Sequence, residues 1–103
     1  QRQTIYRDAD IGALKAECAV RFAHALNPSI SATAIVERLD GARANALFRD
    51  ADLVVEGVDA IGARHALNDA SIASRTPLVS AALGRFAAQV SLYKPWAGKD
   101  LPC

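Results

Sequence analysis

The chain is short of the features that most readily announce a function. Only two cysteines, Cys18 and Cys103, occur in its 103 residues. Two thiols so far apart make no disulfide framework, which fits a reducing cytoplasm. An excess of charge of either sign is also lacking. Twelve basic side chains against eleven acidic ones leave a net charge of +1, which gives no support for a nucleic-acid partner or a membrane surface. No apolar run approaches the roughly 18 residues of a membrane-spanning helix, and no signal peptide is visible. Neither a G-x-G-x-x-G nor a Walker A sequence occurs, so the glycine-rich turn that cradles phosphate is not among these residues. Asn27-Pro28-Ser29 is excluded as a glycosylation acceptor by its central proline. Ser71, Ser74 and Ser80 lie in no nucleophile elbow.

What is present is an alternation of helix-like and strand-like segments. Apolar residues make up 51% of the chain, enough for a real core in one domain or part of one. Residues 11–26 carry Ile11, Leu14, Cys18, Phe22 and Ala25 at helical spacing, with Glu17 and Arg21 as a favourable i,i+4 pair. Pro28 stops this helix and pushes Asn27 out of helical geometry. Residues 30–39 are β-branched and roughly alternating, which predicts a strand. Asp40 is a good N-cap for a short helix over residues 41–48. Residues 53–58 are almost continuously apolar, as in a strand covered on both faces. A third helix over residues 60–73 is expected to bury Ala63, Leu67 and Ala70. Residues 77–82 and 89–93 are further strands, and 94–103, with two prolines and a glycine, read as a loop. This order predicts an α/β fold, a mostly parallel sheet with helices on both faces. The initial strand and glycine-rich turn are lacking from it. The expectation is a single partial domain spanning residues 1–103.

Candidate functional residues have plain readings beside sharper ones. Asp59 stands at the carboxyl end of the second strand, where ligands sit in open α/β sheets. It also directly precedes a helix, so it reads either as an N-cap or as a metal-binding carboxylate. Lys15 reads as a solvated lysine on an amphipathic helix, and Arg2 as part of a frayed terminus. His24 and His65 have no partner at ligand spacing. Cys18 reads as a buried thiol and Trp96 as a loop anchor.

The order and spacing of several short motifs resemble the ThiF/MoeB/HesA family, the adenylyltransferases that activate ubiquitin-like sulfur carriers and are related to ubiquitin-activating enzymes. Gln1-Arg2-Gln3 is similar to the family's N-x-x-R-Q segment. Asp10-Ile11-Gly12-Ala13-Leu14-Lys15 is similar to D-x-G-x-x-K, and Leu26-Asn27-Pro28 to L-N-P. Residues 52–60 resemble D-L-V-V-D-G-x-D-N, and residues 64–69 resemble R-x-x-x-N-D. Strands of the form P-L-V-x-A-A and G-Q-V are matched by residues 77–82 and 88–90. The resemblance covers essentially the whole chain and implies a Rossmann-like fold.

It also implies a reaction. The C-terminal Gly-Gly carboxylate of a sulfur carrier, of the molybdopterin or thiamine type, attacks the α-phosphate of ATP to give an acyl-adenylate and pyrophosphate. By the same resemblance Arg2, Lys15 and Asp59 are the catalytic residues. Arg2, Gln3 and Lys15 contact ATP phosphates, Asp59 holds Mg²⁺, and Arg64 has a positioning or structural role. Cys103 stands where the first cysteine of a structural Zn²⁺ site occurs in many members. Relatives work as homodimers. Glu56, Ala60 and Ala88 replace the usual aspartate, asparagine and glycine. Residues 1–103 alone are expected to be inactive for want of the phosphate turn. Two other readings stay open: a non-catalytic binding or scaffold module, and a fragment of a dinucleotide-dependent oxidoreductase.

Overall fold

The computed structural model describes residues 3–99. The chain forms two compact units, Gln1–Arg38 and Leu39–Cys103. Among the described residues no helix is long and apolar enough to cross a membrane.

In the first unit a 3-10 turn, Asp8–Asp10, leads into helix α1, Lys15–Leu26. The helix begins four residues later than its apolar spacing predicts. Gly12 is the reason: it takes φ +86°, a left-handed conformation that glycine adopts without cost and an α-helix cannot contain. Ile11 and Leu14 are consequently exposed ahead of the helix, and Cys18 is the buried residue of α1. Arg21, expected to pair with Glu17, instead donates to Asp10 Oδ1 at 2.7 Å. The helix ends as expected, with Asn27 extended before Pro28. The Asn27 side chain then accepts from the Ser29 amide at 3.0 Å, closing an Asx turn.

Residues 30–39 correct an expectation. They form no strand, although a remnant of the alternation survives, with Ala32 and Ala34 half-buried between exposed Ser31, Thr33 and Ile35. Period-two patterning makes an extended segment, but a strand also needs a neighbour to satisfy its amides. None of the described strands pairs with this segment.

The second unit holds helix α2, Gly41–Arg49; strand β1, Val54–Glu56; helix α3, Ile61–Ser74; strand β2, Leu78–Leu83; and strand β3, Ala88–Tyr93. A final 3-10 turn, Pro95–Ala97, carries half-buried Trp96. The sheet order is β1-β2-β3, with β1 and β2 parallel and β2 and β3 antiparallel. This is a mixed α/β, Rossmann-like fragment: the βαβ crossover through α3 makes the parallel pair, and a short hairpin makes the antiparallel one.

Asp40 caps α2 as its position predicts, accepting from the Arg43 amide at 2.8 Å. The core joins Ala44 and Phe48 of α2 to Leu67 and Ala70 of α3, with Leu47, Val54 and Val58 packed against them. The two alanines let the helices approach closely. Ala63 is exposed rather than buried, because α3 turns Leu67, Ala70 and Ser71 inward instead.

Strand alternation sorts the sheet side chains into two faces. Val54, Glu56, Leu78 and Ser80 lie on the face toward the helical core. Val55, Val79 and Leu92 stand in register on the other. Val55 is 70% exposed there, so the cover expected on both faces is not found at this position among the described residues.

Candidate functional site

The carboxyl end of β1 is built around one buried carboxylate. Glu56, with its side chain 2% exposed, sits 3.2 Å from Arg64 Nε through Oε1. The Ser80 hydroxyl donates to the same oxygen from β2. The other oxygen, Oε2, accepts from the Val58 amide at 2.9 Å. Arg64, reaching back from the first turn of α3, also donates through Nη2 to the Val58 carbonyl at 2.8 Å and to the Ala81 carbonyl at 3.1 Å. A carboxylate this deep needs ionic and hydrogen-bonding partners, and Arg64, the Ser80 hydroxyl and the Val58 amide supply them.

Asp59 follows directly. It is exposed and lines a cleft of about 420 Å³ together with Gly57, Ile61, Arg64, Ala82 and Leu83. The cleft lies beyond the carboxyl ends of the two parallel strands, where open α/β sheets bind ligands. The N-cap reading of Asp59 is corrected: the N-cap of α3 is Ala60, with no side-chain cap hydrogen bond. α3 begins at Ile61, one residue later than capping by Asp59 would need. Its carboxylate is therefore placed for solvent or a ligand. A single carboxylate suits Mg²⁺, which usually takes one or two protein carboxylates and completes its shell with water and phosphate oxygens. Among the described residues there is no group of three or more His, Cys, Asp or Glu side chains able to hold a metal ion.

In the first unit Lys15 is the first residue of α1 and is exposed. Its ammonium lies 5.6 Å from the centre of the Tyr6 ring and 3.5 Å from Gln3 Oε1. Gln3, Tyr6, Asp10, Gly12 and Lys15 share the lining of a cleft of about 390 Å³. Gln3 and Lys15, both expected at phosphate, are thus neighbours. Beside them the Asp10 carboxyl is held below its usual range, first by the Arg7 amide and also by the Arg21 guanidinium. Arg21 is in turn held more firmly protonated by its contact with Cys18 Sγ and by Asp10.

Lys15 belongs to the first unit and Asp59 to the second. Arg2 and Cys103, expected at phosphate and at zinc, lie outside the described residues. Exposed His65 and half-buried His24 remain without a role in either cleft's chemistry. The residue that sequence reasoning passed over is Glu56, noted only as a replacement for aspartate. Its signal was legible: a glutamate inside an apolar strand demands a buried partner. Ser80 carried no such signal.

Residues 1–103 match the ThiF family along their whole length. The chain belongs to the ThiF family. Curated relatives are similar over most or all of the chain. The molybdopterin-synthase adenylyltransferase of Escherichia coli is 36% identical over 103 residues, covering 100% of this chain and 41% of its own. The SAMP-activating enzyme E1 of Haloferax volcanii is 34% identical over 103 residues, covering 100% of this chain and 37% of its own. The sulfur carrier protein adenylyltransferase of Thermus thermophilus is 36% identical over 92 residues, covering 89% of this chain and 34% of its own. This ThiF-type chain therefore spans about two fifths or less of the length of these relatives.

Proposed function

We propose that the protein carrying this ThiF-type chain adenylates the C-terminal Gly-Gly carboxylate of a ubiquitin-like sulfur carrier of the molybdopterin or thiamine type. A carrier carboxylate oxygen bonds to the α-phosphorus of ATP, the bond from that phosphorus to the bridging oxygen breaks, and pyrophosphate leaves. Catalysis here is mainly positioning and charge stabilisation. Arg2 and Lys15 bind phosphate oxygens and Gln3 orients beside Lys15. Asp59 holds Mg²⁺, which when bound neutralises phosphate charge. Residues 1–103 act as part of one adenylation domain, in a cytoplasmic homodimer.

The observation that carries this reading is Asp59: a carboxylate at the strand ends that caps nothing and faces a cleft. The names of the three relatives support the reaction class, and the Gln3–Lys15 contact supports a shared phosphate role.

The test is ATP–pyrophosphate exchange by the full-length protein with a ubiquitin-like carrier ending in Gly-Gly. Exchange is expected, and Asp59→Asn is expected to lower it on the order of 10²-fold, the scale of a lost electrostatic contact. No exchange by the parent protein, with carrier binding retained, overturns the reading in favour of a binding module.

A further inference from the structure

We propose that Glu56 and Arg64 are positioning residues for Asp59: between them they clamp the Val58 backbone and so aim the adjacent carboxylate into the cleft. The inference rests on the reading of Asp59 as the metal-binding carboxylate. Glu56 Oε2 accepts from the Val58 N–H at 2.9 Å and Arg64 Nη2 donates to the Val58 carbonyl at 2.8 Å. Both polar groups of the residue before Asp59 are thereby held by side chains that are themselves ion-paired at 3.2 Å.

The clamp is anchored at two further points. Ser80 of β2 donates to Glu56, and Arg64 donates to Ala81 O of the same strand. The segment carrying Asp59 is thus tied to the end of the parallel neighbour and to α3. It needs such a tie. The regular strand ends at Glu56 and the helix starts at Ile61, and Gly57 in between has no side chain to restrain it. A buried ion pair is a poor device for stability alone, since a well-packed apolar pair commonly does as well or better. Its distinctive product here is a defined path for the backbone, and misplacement by about 1 Å at a reacting centre can cost on the order of 10²-fold.

The experiment titrates Mn²⁺, as a stand-in for Mg²⁺, into the full-length protein with ATP present and follows bound metal by electron paramagnetic resonance. Parent, Asp59→Asn, Glu56→Gln and the double variant are compared. Asp59→Asn is expected to weaken Mn²⁺ binding at least about tenfold, and Glu56→Gln about fivefold. Glu56→Gln is expected to add nothing once Asp59 is gone, because it acts through that residue. A Glu56→Gln protein that binds like the parent, or whose loss persists undiminished in the Asp59→Asn background, overturns the positioning role while leaving the reading of Asp59 intact. Parent-like binding by Asp59→Asn overturns both. Arg64→Lys keeps the charge but loses the fork that reaches the Val58 carbonyl, and it enters the same cycle if Glu56→Gln does not fold. Failure of both variants to fold assigns the pair a purely structural role and also overturns the proposal.

Discussion

Thr76 Oγ1 donates to the carbonyl of Phe48 at 2.7 Å, joining residues 28 apart in the chain. The same threonine offers its own carbonyl to the Ser71 hydroxyl at 2.6 Å and accepts from Ser74 Oγ at 2.9 Å. It is buried, and it ties the end of α3 to the end of α2 just before β2 begins. Thr76→Val keeps the shape and removes the side-chain bond to the Phe48 carbonyl, which still accepts from the Ala51 amide, while the Ser74 hydroxyl still donates to the Ala70 carbonyl. The expected loss is about 1 kcal/mol of unfolding free energy, the net worth of one buried hydrogen bond whose acceptor keeps another partner. Chemical denaturation of the two proteins measures it, and unchanged stability would remove this tie from the account.

The two aspartates that precede helices separate cleanly. Asp40 caps α2 through the Arg43 amide, whereas Asp59 caps nothing. Asp40→Ala is expected to cost about 1 kcal/mol, and Asp59→Ala to stay within about 0.5 kcal/mol of the parent. Thermal melts of both variants check the contrast. A comparable loss at Asp59 would restore its capping role.

Asp10 makes the first unit sensitive to acid. The Arg7 amide, and then Arg21, hold its carboxyl below the ordinary value of 3.8. A carboxyl depressed in the folded state stabilises that state when ionised, so its contribution is complete above about pH 5 and fades as pH falls through the lowered folded value. Asp10→Asn is therefore expected to melt below the parent at neutral pH. The gap should close once the pH is taken well below 3.8. A gap of constant size over that range would mean that ionisation of Asp10 contributes nothing.

Much of this architecture was written locally. Pro28 ends α1 because its ring forbids the preceding residue a helical conformation, and Asp40 opens α2 because a short acidic side chain reaches the third amide of the turn. The alternation of segments at periods near 3.6 and 2 predicted the α/β class without any contact being known. The short motifs that resemble the ThiF family are likewise local strings. Gly12 is a local effect too, but glycine permits the left-handed turn without requiring it, so the later start of α1 was not readable in advance.

Pairing and burial were decided elsewhere. Residues 30–39 have the pattern of a strand, yet a ladder depends on a neighbour, and patterning carries no information about which edge is offered. The antiparallel course of β3 follows from the tight turn after Leu83. Whether Ala63 or Ser71 faces inward depended on how α3 rolls against Phe48. Glu56 declared from its apolar surroundings that it needed a partner, but not that Arg64, eight positions later in the numbering, would fold back to meet it and take hold of Val58 as well. Chain-local sterics and side-chain reach act within a few residues and can be read in order along the chain. Hydrogen-bond partners and ion pairs inside the fold are chosen by distances that exist only once the strands and helices have packed.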